Sequence, residues 1–210
     1  MKSQAAELWR QASRLGRNAA PGKPLPPLLF FTDPGRTPDP ARTVAAMPRG
    51  SGVVYRAFGS ANALEDGLGV RAAARRAGVM LIVGADAGLA TRLDADGVHL
   101  PERLGRRAGA IRALGRRFLV TAAAHSLPAA LAARRAGARA VIISPVFASL
   151  SRSAARPLGP RSFAIMARKS GLPAYALGGV NARTAKALSR SGAAGLAMIE
   201  GAVAAFGPGD

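Results

Sequence analysis

Between residues 28 and 206 a short apolar run and an Ala/Leu/Arg-rich segment follow one another eight times. The apolar runs cover 28–32, 52–56, 79–83, 97–100, 118–122, 140–144, 173–177 and 195–199. The segments after them read as helices over 39–46, 61–77, 86–93, 102–114, 127–136, 160–170, 181–191 and 201–206. Short runs that are apolar at nearly every position suit the strands of a parallel sheet, because helices cover both of its faces. Eight such units predict an α/β fold, a compact (β/α)8 TIM barrel of about 180 residues where roughly 250 is typical. An open, doubly wound sheet is the alternative, and the count of eight favours the barrel. Gly78, Gly115, Gly137, Gly171 and Gly192 stand where helices should stop. Residues 1–17 predict an extra N-terminal helix with Leu8, Ala12 and Leu15 on one side, and 18–27, rich in Gly and Pro, a linker. The expected organisation is therefore a helix and linker over 1–27 and a barrel over 28–210.

The chain has no cysteine, and His99 and His125 are its two histidines. Disulfides, thiolate nucleophiles, Cys-ligated zinc and a His-rich metal site are thereby excluded. No uncharged apolar stretch reaches the ~18 residues of a membrane span, and residues 1–17, with Glu7 and Trp9, do not read as a secretory leader. A cytoplasmic protein with no membrane partner is expected. Lys and Arg number 30 against 11 Asp and Glu, a net charge of +19. The basic pairs Arg75-Arg76, Arg106-Arg107, Arg116-Arg117 and Arg134-Arg135 are dispersed near helix ends, and aromatic residues are only 5%. Spread charge without stacking aromatics reads as solvated helix faces, so nucleic acid is not an expected partner. A homo-oligomer is compatible with such a barrel.

In a barrel of this kind the C-terminal ends of the strands form the active face. After the seventh run, Gly178-Gly179 lets backbone N–H groups approach an anion with no Cβ in the way. Asn181 is placed to cap the following helix, and Ile199-Glu200-Gly201 opens a second helix at the same spot. The loops after strands seven and eight are the usual phosphate site of such barrels. After the sixth run, Ser149, Ser151 and Arg152 add two hydroxyls and a guanidinium that can fork onto phosphate oxygens. Arg56 ends the second run and can hold an anionic ligand or pair with Asp33 or Asp86; Asp33 itself precedes the turn-forming Pro34-Gly35. His125 follows the fifth run, whereas His99 lies inside the fourth and reads as a buried core histidine.

A set of motifs runs in order along the chain: Asp96-Gly97-Val98-His99-Leu100, Ala124-His125-Ser126, Ser144-Pro145-Val146-Phe147, Leu158-Gly159-Pro160, Ala176-Leu177-Gly178-Gly179-Val180 and Gly192-Ala193-Ala194-Gly195. In order and spacing they resemble the thiamine phosphate synthase family and its thiazole tautomerase relatives. The resemblance implies a barrel that binds a thiazole phosphate or thiamine phosphate. In the synthases it implies a hydroxymethylpyrimidine diphosphate as second substrate and Mg2+ beside the diphosphate. It also implies Arg-Glu-Lys after strand two, where this chain reads Arg56-Ala57-Phe58, and Asn-Asp-Asp after strand three, where it reads Gly84-Ala85-Asp86. Gly-Gln-x-Asp after strand four is here Pro101-Glu102-Arg103-Leu104; a serine near strand five is Ala123, and one after strand eight is Glu200.

The departures fall on the diphosphate and metal half, whereas the single-phosphate half keeps Ser149, Ser151, Arg152, Gly178 and Gly179. No metal ligand is assigned; Asp86 and Glu102 are the nearest acids able to stand in for Mg2+ ligands. Glu200 is expected to repel a neighbouring phosphate. The catalytic candidates are Arg56 and His125, which matches the tautomerase histidine and has the chemistry of a proton-transfer base. The leading expectation is a tautomerase-like or divergent member. A genuine synthase and a non-catalytic thiamine-phosphate-binding protein are the alternatives, with Mg2+ as cofactor only for the synthase.

Overall fold

Side chains alternate across a strand, so each apolar run must bury two faces, one toward the barrel axis and one toward the helices. A computed structural model describes residues 2–17, 25–114, 118–149 and 156–208. Its strands are β1 (Leu28–Phe31), β2 (Gly52–Tyr55), β3 (Met80–Gly84), β4 (Gly97–Leu100), β5 (Leu119–Ala124), β6 (Ala140–Ile143), β7 (Ala174–Ala176) and β8 (Gly195–Met198). They pair in chain order, all parallel, and β8 closes on β1 with Leu28 beside Leu196 and Phe30 beside Met198. The sheet is thus the expected closed barrel, not an open doubly wound one. Within β1 the alternation is direct. Leu29 and Phe31 pack with Val54, Ile82, Ile142 and Tyr175, whereas Leu28 and Phe30 join the cluster that includes the helices.

The helices are α1 (Lys2–Arg17), α2 (Pro40–Ala45), α3 (Ala63–Ala77), α4 (Ala87–Arg92), α5 (Ala108–Arg112), α6 (Leu127–Arg135), α7 (Gly159–Ser170) and α8 (Glu200–Phe206). Gly78 and Gly171 end α3 and α7 in left-handed conformation, as expected; Gly115 lies outside the described residues. Leu8, Ala12 and Leu15 of α1 are buried in the outer core, and α1 packs on β8 and α8. Two expected helices take another form. The segment 102–114 splits into a 3-10 stretch, Glu102–Arg107, and the five-residue α5; Gly105 and Gly109 lower its helical propensity. The segment 181–191 keeps only a 3-10 stretch, Thr184–Leu188. There the Thr184 hydroxyl donates to Gly179 O at 2.9 Å and accepts from Asn181 N at 2.9 Å, so a side chain competes with the backbone for the first turn. No helix among the described residues is long and apolar enough to cross a membrane.

The interior is fitted by large residues facing glycines. Tyr175 is buried and its hydroxyl donates to Pro26 O at 2.8 Å. A Cβ on Gly195, the adjacent residue of β8, would lie 2.6 Å from the Tyr175 ring and 2.5 Å from Pro27 O. The second contact is backbone and cannot yield cheaply. Gly195→Ala is therefore expected to destabilise the barrel by about 1–3 kcal/mol, the usual cost of overpacking. Urea unfolding of the purified variant measures it, and an unchanged midpoint would contradict this packing.

Candidate active site

Parallel strands place all their C-terminal ends at one rim, and a cavity of about 1280 Å3 opens there. It gathers most of the side chains singled out from the sequence: Arg56, Asp86, Glu102, His125, Ser149, Gly178, Gly179, Ile199 and Glu200 all line it. Ser151 and Arg152 lie outside the described residues.

Arg56 leaves the end of β2 and is fixed from three directions. Its backbone N–H donates to Thr32 Oγ1 at 2.9 Å, and its Nε donates to Thr32 O at 2.7 Å. Its guanidinium lies 5.5 Å from the Phe31 ring centroid and 4.9 Å from that of Phe58, both within cation–π range. It pairs with Asp33 at 3.4 Å rather than with Asp86. Burial pulls the guanidinium down to about 10, with Asp33 opposing, so Arg56 stays charged at neutral pH.

Arg36 is the site residue that the sequence did not single out. It bonds Asp33 at 2.7 Å and Glu200 at 3.0 Å, joining the loops after β1 and β8. Asp33 also accepts from Gly35 N at 3.1 Å, so it forms both the turn and the ion pair that the sequence offered it. The Arg36 hydrogen bond holds the Asp33 carboxyl below the usual carboxylate range. Glu200, expected to repel phosphate, has its charge matched by Arg36.

On the other side of the rim, Gly178 and Gly179 have φ of 93° and 64°, which favour glycine. Added Cβ atoms would lie 2.9 Å from Pro145 Cα and 2.2 Å from Ala148 O. The pair is therefore required by close packing against the loop after β6, which it also holds through Phe147 N donating to Gly178 O at 3.0 Å. The N–H groups of Gly178 and Gly179 donate to no backbone or side-chain acceptor among the described residues. Asn181 Oδ1 accepts from Arg183 N and Thr184 N at 2.9 and 3.1 Å, capping a 3-10 turn instead of the expected helix.

His125 Nδ1 lies 2.7 Å from Ser144 O. A carbonyl only accepts, so Nδ1 carries the proton and the neutral ring keeps its lone pair on Nε2. His125 N–H donates to Glu102 at 2.5 Å, and Asp86 accepts from Leu89 N at 2.8 Å as the cap of α4. These bonds decide the fit of the Mg2+ that the resemblance implies. Each carboxylate lining the cavity already accepts from a protein donor: Asp86 from Leu89, Glu102 from His125 and Glu200 from Arg36. Where the family pattern has acids, Ala85 gives only a backbone bond to His99 O, and Leu104 packs on the outer core. Among the described residues no three of His, Asp and Glu come together around a metal-sized site. Mg2+ beside a phosphate takes one or two carboxylates and substrate oxygens in near-octahedral array. Here Asp86 and Glu102 each have one oxygen held by a backbone N–H and no third acid joins them among the described residues, so the acids do not match the ligand set of the family pattern.

His99 lines the cavity floor but is only 6% exposed, with Nδ1 at 2.9 Å from Thr121 Oγ1 and its ring edge-on to Phe31 at 5.0 Å. It is the buried core histidine that the sequence suggested. Burial, and after it the Arg56 charge, hold it down to about 3 from an ordinary 6.5. The unfolded chain thus binds the extra proton first. Its stabilising contribution is complete above about pH 6.5 and drains away as pH falls, by up to about 1.4 kcal/mol per pH unit. Urea unfolding between about pH 7 and pH 5 should show this decline in the wild type and a flatter profile in His99→Asn. Parallel profiles would contradict the assignment.

The family model of thiamine monophosphate synthase matches residues 28–202, nearly the whole barrel. A thiamine-phosphate synthase of Chloroflexus aurantiacus is 37% identical over 143 residues, covering 68% of this chain and 66% of that protein, about two thirds of its length. One from Xanthomonas campestris pv. campestris strain 8004 is 32% identical over 171 residues, covering 80% and 82%. The solved thiamine phosphate pyrophosphorylase from Pyrococcus furiosus superposes with a TM-score of 0.73 over 87% of this chain and 88% of that one; at 24% identity this speaks to the fold. The match across the barrel and the named relatives agree with the motifs at its rim: the chain belongs to the thiamine monophosphate synthase family.

Proposed function

We propose that the protein is a transferase that joins a hydroxymethylpyrimidine diphosphate to a thiazole phosphate, the condensation that the family resemblance implies, in line with relatives named thiamine-phosphate synthase. The observation that carries this reading is the single cavity of about 1280 Å3 spanning the rim from Arg56 to Gly179. One small ligand needs roughly 300–1,000 Å3, so this space suits two ligands side by side. The C–O bond between the pyrimidine methylene and the diphosphate breaks, and its electron pair leaves with the diphosphate. The thiazole nitrogen lone pair then forms the new C–N bond, with no oxidant or reductant involved. The N–H groups of Gly178 and Gly179, without an acceptor among the described residues, would hold the thiazole phosphate. Arg56 would face the charge that grows on the leaving group, inside a wall of Phe31, Ala57 and Phe58 that lowers the local dielectric. This reading replaces the tautomerase-like one as the leading reading, since the relatives described above carry synthase or pyrophosphorylase names.

A second reading, proton transfer within a thiazole carboxylate phosphate, is favoured by one feature: the His125 tautomer that leaves Nε2 free on a cavity-lining ring. The two readings separate in one pair of assays. With both substrates supplied, thiamine phosphate and diphosphate should form in equal amounts, and Arg56→Ala should lower kcat/KM by about 10²–10³-fold, the scale of one lost electrostatic donor. His125→Ala should change it by less than about tenfold, as expected of a group outside the bond-breaking step. Isomerisation of the thiazole substrate that vanishes in His125→Ala, with no condensation, would establish the second reading instead. Binding without either reaction would leave a thiamine-phosphate-binding protein.

A further inference from the structure

The cavity wall at the ends of β3 and β4, across the barrel from Gly178-Gly179, carries two acids, each with one oxygen held by a backbone N–H, and two arginines. Arg103 and Arg107 stand four residues apart on the 3-10 segment after β4, both exposed and both on the wall. Neither enters an ion pair among the described residues. The nearby acids do not pair with them: one Glu102 oxygen accepts from His125 N–H and one Asp86 oxygen from Leu89 N–H. Arg56, deeper in the same cavity, is only partly neutralised. Asp33 bonds Arg36 at 2.7 Å and stands 3.4 Å from Arg56. A desolvated guanidinium with a shared partner gains from a further anion. Phe58, Ala85 and Leu104 add apolar wall among these groups, and apolar surroundings strengthen charge interactions.

We propose that Arg103, Arg107 and Arg56 form a diphosphate cradle that works without a divalent cation. The proposal rests on the condensation reading for its ligand. Guanidinium forks match pairs of phosphate oxygens. As the C–O bond breaks and its electron pair passes to the diphosphate oxygen, the added negative charge meets guanidinium N–H donors where the family pattern would place a metal. The two rims of the cavity then differ in kind, with backbone N–H groups for the single phosphate and side-chain cations for the double one.

Calorimetric titration with inorganic pyrophosphate, in EDTA and again with Mg2+, tests this on the full chain. Pyrophosphate should bind in EDTA with an affinity that Mg2+ changes by less than about threefold. Arg103→Ala/Arg107→Ala should weaken it by tenfold or more, and Arg103→Lys/Arg107→Lys should recover part of the loss. Thermal unfolding of the variants checks that both fold. Binding that requires Mg2+, or binding unchanged in the double alanine variant, would overturn the cradle. Condensation assayed alongside separates the two claims. Metal-free pyrophosphate binding with no condensation keeps the cradle and removes the condensation reading. Condensation that stops in EDTA keeps that reading and removes the cradle.

Discussion

Closure of the parallel sheet between β1 and β8 is the constraint from which the rest of the structure follows. Pairing Leu28 with Leu196 and Phe30 with Met198 brings the first and last strands together and sets every strand end on one rim. Only then can Arg36, just after β1, reach Glu200, 164 positions later in the chain. The same closure lets Asp33 stand between Arg36 and Arg56. Short side chains make the closure feasible. Gly195 and Ala197 of β8 leave space that Tyr175 of β7 and Phe31 of β1 fill from neighbouring strands.

The rim built in this way is electrostatically uneven. Near β1, β2 and β8, charges are linked in a connected set: Arg36 to Asp33 and Glu200, and Arg56 more distantly to the same Asp33. Near β7, backbone N–H groups of Gly178 and Gly179 are left without protein acceptors among the described residues. Near β4, cations outnumber engaged acids. The rim therefore offers donors to an anion at two separate places, with the half-buried Arg56 beside the Phe31 and Phe58 rings. This unevenness is what the two-ligand proposal rests on.

The architecture was legible in the sequence because its signal is local. Apolar runs of four or five residues, repeated eight times, carry their strand identity in their own side chains, and all eight strands fall where those runs do. The His99 and Asp33 readings were legible for the same reason, one from its place inside an apolar run and the other from its turn residues. What the sequence did not carry is contact across the chain. Arg36 sits in an ordinary loop, and its role depends on a carboxylate far away in sequence. One Glu102 oxygen is held by His125 N–H, 23 residues on, a contact that the local sequence does not announce. Glu200 looked repulsive to phosphate because its counter-charge was not visible. The helix expected over 181–191 failed because the Thr184 hydroxyl takes up backbone partners that a helix turn would have used.

The central claim is that one cavity holds a phosphate on Gly178-Gly179 and a second anion at the Arg103 side. A crystal structure grown in EDTA with thiamine phosphate and pyrophosphate together tests it most directly. The expected result is the ester phosphate on the Gly178 and Gly179 N–H groups, and pyrophosphate within hydrogen-bond distance of Arg103, Arg107 and Arg56 with no metal density between them. Thiamine phosphate bound outside the cavity, or lying with its phosphate on the arginine side and Gly178-Gly179 facing solvent, would contradict it.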